Sequence, residues 1–410
     1  MKTFGNGRAA LVGDAATAER LRWSPRRRSR LDPEVLLQPR RGDPRSEPWI
    51  APGWHVPSAG LETLRRRSGR RYWSYLPEPP GVLRYLERLA EPNTRGGLSV
   101  ALVGLGRVGG VAATVLATAP TRALGVREML IYDVDTANQQ RWLLELGSIA
   151  RWRGRDELPL VRATTISEMF NRCDVVLFAA TDSVPPPGTP GDVRAMQFAP
   201  NRTILRALLE QARAAGYTGL FLVASDPVDL LAQAAFHDSN RDASGAFTGD
   251  GLAPERIAGL GLGVMWARAL ACARRGGWDR AVARSGAVYG PHNTEAVAFD
   301  DIRKPNSRRS DSLSRAAREG NVTIRTLGHL PYVGPGVSSV ALALQPLLAG
   351  KEILASVLLD GVYFGAPARM DWGLYPTACP MARRVWDTLR ELHGRSQEQA
   401  RSLDLTWRRG

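Results

Sequence analysis

His292 lies in the stretch AVYGPHNTEAV, residues 287–297, and is one of only five histidines in 410 residues. An imidazole can give or take a proton near neutral pH. Taken alone, a histidine after Gly-Pro reads as a polar residue closing a strand. A second stretch carries a different chemistry. VALVGLGRVGG places Gly104, Gly106 and Gly109 in the spacing G-x-G-x-x-G, directly after an apolar strand and at the mouth of a helix. The first glycine permits a tight turn, the second lets a pyrophosphate approach the backbone, and the third lets helix and strand pack closely. Phosphates would meet the free N–H groups of that helix start, at Gly106, Arg107 and Val108. Asp133, in LIYDVD at the end of the next strand, is placed to accept hydrogen bonds from adenosine ribose hydroxyls. A carboxylate there disfavours a 2′-phosphate, so the expected cofactor is NAD rather than NADP. Cys173, Cys272 and Cys379 are far apart and lack metal-ligand spacing, so no metal is expected and they read as reduced thiols of a cytoplasmic protein.

These groups need a scaffold, and the pattern from Leu98 onward supplies one. LSVALVG, EMLIYDVD, LPLVRAT, CDVVLFAAT and GLFLVASDP read as strands. RVGGVAATVLATA, QQRWLLELGSIA and NRTILRALLEQARAAG read as the helices between them. Strands apolar on both faces that alternate with helices predict an α/β fold with a parallel, doubly wound Rossmann sheet. After about residue 228 the pattern changes to long helices mixed with shorter strands, which predicts an α+β second domain. The expected division is therefore a basic extension over 1–96, a dinucleotide-binding domain over 97–228 and a C-terminal domain over 229–403.

The extension is rich in Arg and Pro, with WSPRRRSRLDPE, QPRRGDPRSEPW and LRRRSGRRYW in its first 75 residues. It reads as an arm that packs through Trp23, Trp49, Trp54 and Trp73, with a short amphipathic helix from Pro80. The chain carries a net charge of +15, and residues 1–96 hold 19 Lys and Arg against 10 Asp and Glu. Lysine occurs only at Lys2, Lys304 and Lys351, so the basicity is arginine, a skew that compositional bias explains without a nucleic-acid partner. The absence of any apolar run of 18 residues argues against a membrane span.

The order of these motifs resembles the lactate/malate dehydrogenase family over roughly residues 97–403. LVGLGRVGG is similar to the family's nucleotide loop and FLVASDPVDLL to its SNPVD strand end. IAGLGLGVMWARAL resembles its substrate helix, and VYGPHNTEAV its catalytic turn. The spacing agrees: His292 follows Arg268 by 24 residues and Asp226 follows Arg194 by 32. The resemblance implies that His292 moves the proton of the substrate's C2 oxygen. It implies that Arg268 grips the substrate carboxylate and that Arg194, on a mobile loop, polarises the C2 carbonyl. Asp226 stands where the family has asparagine, and Met265 where it has the aspartate that orients the histidine. Asn201 and Ser338 fall where further substrate contacts are expected. The loop position that selects substrate falls at Pro187 or Gly188, which suits neither malate nor the usual lactate choice.

Three functions follow. The first is a divergent NAD-dependent oxidoreductase on a 2-hydroxy or 2-oxo acid, or a related carbonyl compound, with specialised metabolism as its expected setting, a small carboxylate as partner and a homodimer or homotetramer as its assembly. The second is a catalytically inactive relative that binds a nucleotide or a protein. The third is a basic nucleic-acid-associated protein.

Overall fold

In the computed structural model the described residues are 98–405, apart from 120–125, 150–157, 192, 218, 247–250, 253, 349–350, 360, 371–373 and 378–379. Three strands near the start are described as backbone only: β1 (Lys2–Gly5) pairs antiparallel with β2 (Ala10–Gly13) and with β3 (Ser24–Pro25). The four tryptophans of the extension, the helix expected from Pro80 and Cys379 lie outside the described residues.

The first regular unit is strand β4 (Leu98–Val103), then helix α1 (Arg107–Thr118) and strand β5 (Val126–Tyr132). Helix α2 (Thr136–Gly147), β6 (Leu160–Ala163), α3 (Ile166–Arg172) and β7 (Val175–Phe178) follow. Helix α4 (Phe198–Ala214), β8 (Leu220–Val223), α5 (Val228–Ser239) and β9 (Ile257–Gly259) complete the series. Strands β6-β5-β4-β7-β8-β9 lie side by side and parallel, so the strand order reverses between β4 and β7. This is the expected doubly wound Rossmann sheet, and ligands of such sheets sit beyond the carboxyl ends of the strands at that reversal.

Alternation along the strands builds two cores. Leu102, Leu177 and Leu222 face one side of the sheet, and Val103, Phe178, Phe221 and Val223 the other, all nearly or wholly buried. Both faces are covered, which is why the strands read as continuous apolar runs. Burying each of these side chains contributes about 1.5–3 kcal/mol.

The later elements are α6 (Leu262–Arg275), α7 (Asp279–Ser285), β10 (Ala287–Tyr289), β11 (Val297–Phe299) and α8 (Ser307–Thr326). A π-helical turn over Pro335–Ala341 leads to α9 (Leu342–Leu348). Then come β12 (Glu352–Leu359), β13 (Val362–Met370), β14 (Leu374–Pro376) and α10 (Arg383–Ser402). Strand β12 pairs antiparallel with β9 and carries β13 and β14 outward, so one sheet of nine strands runs through sequence on both sides of residue 228. Strands β10 and β11 form a separate antiparallel pair, and His292 lies in the connection between them.

Candidate active site

The glycine loop is built as its spacing predicts. Gly104 adopts φ +91°, and a Cβ there would come 2.5 Å from the Ala180 backbone. At Gly109 a Cβ would collide with the carbonyl oxygen of Gly104. Gly106 faces open space, with nothing within 4 Å of where its Cβ would stand, and it begins α1 without a side-chain cap. The first N–H groups of α1 are thus presented to a phosphate rather than to a capping residue. Asp133 closes the loop from β5. Its Oδ2 accepts from the Leu105 N–H at 2.8 Å and from Asn138 Nδ2 at 3.0 Å, and its Oδ1 accepts from the Asp135 N–H at 3.0 Å. Oδ1 retains capacity for a ribose hydroxyl. These residues fit a dinucleotide without a 2′-phosphate. Arg107 is exposed, with its guanidinium 5.8 Å from the centre of the Tyr332 ring. A cleft of about 640 Å³ lies beside it, bordered by Gly106, Gly110, Trp142, Pro187 and Tyr332.

Val108, the next loop residue, also borders a second cavity of about 70 Å³. Arg194, Asp226, Arg268 and His292 converge on this smaller space from four different elements. Arg194 Nε lies 3.5 Å from Asp226 Oδ2, and His292 Nε2 lies 3.8 Å from Asp226 Oδ1. Arg268 packs its stem against Gly320 of α8, where any Cβ would come 2.7 Å from its Cδ, and its Nη1 reaches the Ala317 carbonyl at 3.4 Å. Burial, with the like charge of Arg194, lowers the Arg268 pKa, and Asp226 opposes that shift. His292 is buried, and desolvation, with Arg194 and Arg268 adding to it, holds its pKa well below the usual histidine value. The ring is therefore neutral at neutral pH. Two cations and one carboxylate leave the cavity one positive charge in excess.

Asp229, on the first turn of α5, holds the histidine loop. Its Oδ2 accepts the His292 backbone N–H at 2.7 Å, and its Oδ1 accepts the Ser356 hydroxyl. Burial outweighs these bonds and pushes its pKa up to about 6.

The resemblance left two substrate contacts that the structure does not bring to the cavity. Asn201 is fully buried in α4, where Oδ1 accepts from the Asp182 N–H at 2.9 Å and the Thr181 hydroxyl at 3.1 Å, and Nδ2 donates to the Asp226 carbonyl at 2.8 Å. Its amide thus ties the loop after β7 to the end of β8. Ser338 does not line the cavity; its neighbour Ser339 does, accepting from the Val264 N–H and donating to the Gly261 carbonyl. Both serines lie in the π-helical turn, and Ser339 is the buried one. Met265 is wholly buried in the core between α6 and its neighbours and lines neither cavity.

Three further residues went unnoticed in the sequence. Asn321 of α8 lines the small cavity, and its Oδ1 is buried without a hydrogen-bond partner among the described residues. No local pattern marks it, since only the packing of α8 brings it there. Gly261 abuts the His292 ring, where a Cβ would come 2.7 Å from Nδ1. Asp229 stands three residues after Asp226, a spacing that places both at the junction of β8 and α5.

Fold and site together define a dinucleotide-binding α/β protein with a cationic, carboxylate-sized cavity at the edge of its nucleotide loop. Residues 98–247 match the family described as lactate/malate dehydrogenase, NAD binding domain. NAD is the cofactor for which that domain is built. The chain is 30% identical over 149 residues to an L-lactate dehydrogenase of Corynebacterium efficiens, covering 36% of this chain and 43% of that protein. It is 29% identical over 145 residues to an L-lactate dehydrogenase of Lactococcus lactis subsp. cremoris, covering 35% and 43%. The match therefore spans less than half the length of these relatives. In fold, the chain is similar to the minor L-lactate dehydrogenase of Enterococcus mundtii, with a TM-score of 0.60 at 19% identity over 74% of this chain and 98% of that one. It is also similar to malate dehydrogenase of Plasmodium falciparum in complex with NADH, with a TM-score of 0.57 at 16% identity over 75% and 99%. The family match includes Arg194 and Asp226 but ends before Arg268 and His292, whose placement rests on the structure. Among the described residues no helix is long and apolar enough to cross a membrane.

Proposed function

We propose that the protein is an NAD-dependent oxidoreductase that interconverts a small 2-hydroxy monocarboxylate and its 2-oxo acid. The observation that carries this reading is the meeting of Arg194, Asp226, Arg268 and His292 with Val108 of the nucleotide loop around one small cavity. The excess of one positive charge suits a single carboxylate. A second carboxylate would need another cation, and the loop offers only Pro187 and Gly188 at the selecting position.

In this reading the residues over 97–228 hold the cofactor and those over 229–403 complete the substrate pocket. Arg268 receives the substrate carboxylate, and its packing against Gly320 keeps the guanidinium aimed. Arg194 faces the C2 oxygen, where negative charge grows during reduction. The His292–Asp226 pair handles the proton of the C2 oxygen. NAD, when bound along Gly104, Gly106, Arg107, Val108, Gly109 and Asp133, supplies hydride chemistry at C2. Cytoplasmic location, homo-oligomeric assembly and a role in specialised metabolism accompany this reading as its corollaries.

One observation favours the alternative of a catalytically silent nucleotide-binding relative: among the described residues no carboxylate hydrogen-bonds the His292 ring, Asp226 Oδ1 lying 3.8 Å from Nε2. A titration with NADH followed by fluorescence, with Gly106→Asp as control, then a turnover screen of 2-oxo monocarboxylates, separates the two. Micromolar binding lost in the variant, with turnover abolished by Arg268→Gln, supports the oxidoreductase. Binding without turnover of any 2-oxo acid supports the silent relative, and no binding at millimolar NADH sinks both.

A further inference from the structure

We propose that the proton-accepting group of this site is the carboxylate of Asp226, with His292 serving behind it as a neutral positioning residue whose proton sits on Nε2. The inference rests on the oxidoreductase reading above and assigns the proton within it.

The two edges of the imidazole see different surroundings. Nδ1 is buried and has no hydrogen-bond partner among the described residues. Gly261 packs against that edge and Met265 is sealed in the core, and among the described residues no carboxylate accepts an Nδ1–H. Nε2 lies 3.8 Å from Asp226 Oδ1. A neutral imidazole carries a single N–H, and placing it on a buried nitrogen without an acceptor costs about 1–3 kcal/mol. The proton therefore belongs on Nε2, where its dipole meets an anion. The charged groups around the ring are Asp226, Arg194 and Arg268, with Asp229 on the backbone N–H of the same residue.

This tautomer changes the chemistry. A nitrogen that already holds a proton has no lone pair to offer a substrate hydroxyl. Moving the proton to Nδ1 would first require an acceptor that the packing excludes. Asp226 can do what the ring cannot. Its side chain is 30% exposed against 9% for His292, and its two oxygens face His292 and Arg194. In the oxidation direction the substrate O–H bond breaks and its proton forms a new O–H bond on the Asp226 carboxylate. The O–H electron pair becomes the second bond of the C2 carbonyl, and the C2–H pair leaves as hydride to the oxidised nicotinamide. Asp226 ends as a carboxylic acid, His292 remains neutral throughout, and Arg194 steadies the oxygen.

The full chain labelled with nitrogen-15 at histidine gives a direct test, with the His292 signals assigned by their loss in His292→Gln. A pyridine-type Nδ1 and a pyrrole-type Nε2 are expected, and a pyrrole-type Nδ1 overturns the inference. For turnover with NAD and L-lactate or another 2-hydroxy monocarboxylate, Asp226→Asn is expected to lower kcat by roughly 10²–10⁴-fold. His292→Gln, which keeps a donor near Asp226, is expected to lower it about tenfold. A loss in His292→Gln equal to that in Asp226→Asn refutes the assignment. If the wild-type chain oxidises no 2-hydroxy acid, the reaction and Asp226's part in it both fall, and the spectrum alone decides the tautomer.

Discussion

Asp229 holds His292 by its backbone and not by its ring: the carboxylate accepts the His292 N–H at 2.7 Å while Ser356 occupies its other oxygen. The loop carrying the imidazole is thereby fixed to the first turn of α5, immediately after Asp226. Orientation of the ring is left to packing. A buried carboxylate with two donors and no cation bonded to it is costly to ionise, and its pKa rises to about 6 from the usual 3.8.

That rise predicts a pH dependence of stability. Between pH 3.8 and 6 the native chain binds more protons at Asp229 than the unfolded chain does, so this group's contribution falls as pH rises through that window. The loss amounts to about 3 kcal/mol once both states are ionised. His292 acts in the opposite sense: with its pKa held low, its contribution is lost as pH falls below the unfolded value near 6.5. Asp229→Asn separates them, because an amide can accept from the His292 N–H and donate to Ser356. Thermal unfolding from pH 4.5 to 7 should show the variant gaining on the wild type as pH rises. Parallel curves would remove Asp229 as the responsible group.

Gly261→Ala should act on the ring itself. The added Cβ overlaps the His292 imidazole, whose loop is anchored by Asp229 and cannot retreat without breaking that bond. Overpacking of this kind costs about 1–3 kcal/mol. Turnover should fall by no more than about tenfold, the loss expected on removing the imidazole itself, while NADH affinity stays within about twofold, since the nucleotide loop is untouched. Equal losses in both would mean that the substitution disturbs the whole sheet edge.

The sheet and its nucleotide loop were legible because their causes are local. Strands apolar on both faces, a glycine at φ +91° and an aspartate closing the next strand each leave a mark within a few residues. The cavity was legible only in part. Arg194, Asp226, Arg268 and His292 were found by resemblance, and the structure places them together. Asn201 and Ser338 do not line this cavity, and sequence order does not reveal whether an amide is used by the backbone or which of two neighbouring serines faces inward. Asn321 and Gly320 reach the site only through the packing of α8 on α6, which no local pattern records.

Gly320 makes the anchor testable from a distance. Gly320→Ala should push the Arg268 guanidinium out of line, raising KM for a 2-oxo monocarboxylate by about tenfold with a smaller change in kcat. Arg268→Gln should raise KM by roughly 10–100-fold, the worth of a charge-assisted pair. Arg268→Lys should not restore it, because an ammonium cannot reproduce the planar fork. Steady-state kinetics check all three, and a rescue by lysine would show that only charge is needed.

Charge at Asp226 should also set the charge of the ligand accepted. With Asp226 in place the cavity carries one excess positive charge, and Asp226→Asn raises that to two by removing the carboxylate 3.5 Å from Arg194. The variant should therefore bind a 2-oxo dicarboxylate more tightly relative to a monocarboxylate, by about tenfold, or roughly 1.4 kcal/mol. The gain should shrink as salt is raised, since the cavity is partly open to solvent. Calorimetric titration of both ligands into NADH-loaded wild type and variant measures the ratio without requiring turnover, so it is independent of where the proton goes. A ratio unchanged by the substitution would mean that Arg194 does not face the ligand. The selection of a monocarboxylate would then fall to the loop at Pro187 and Gly188.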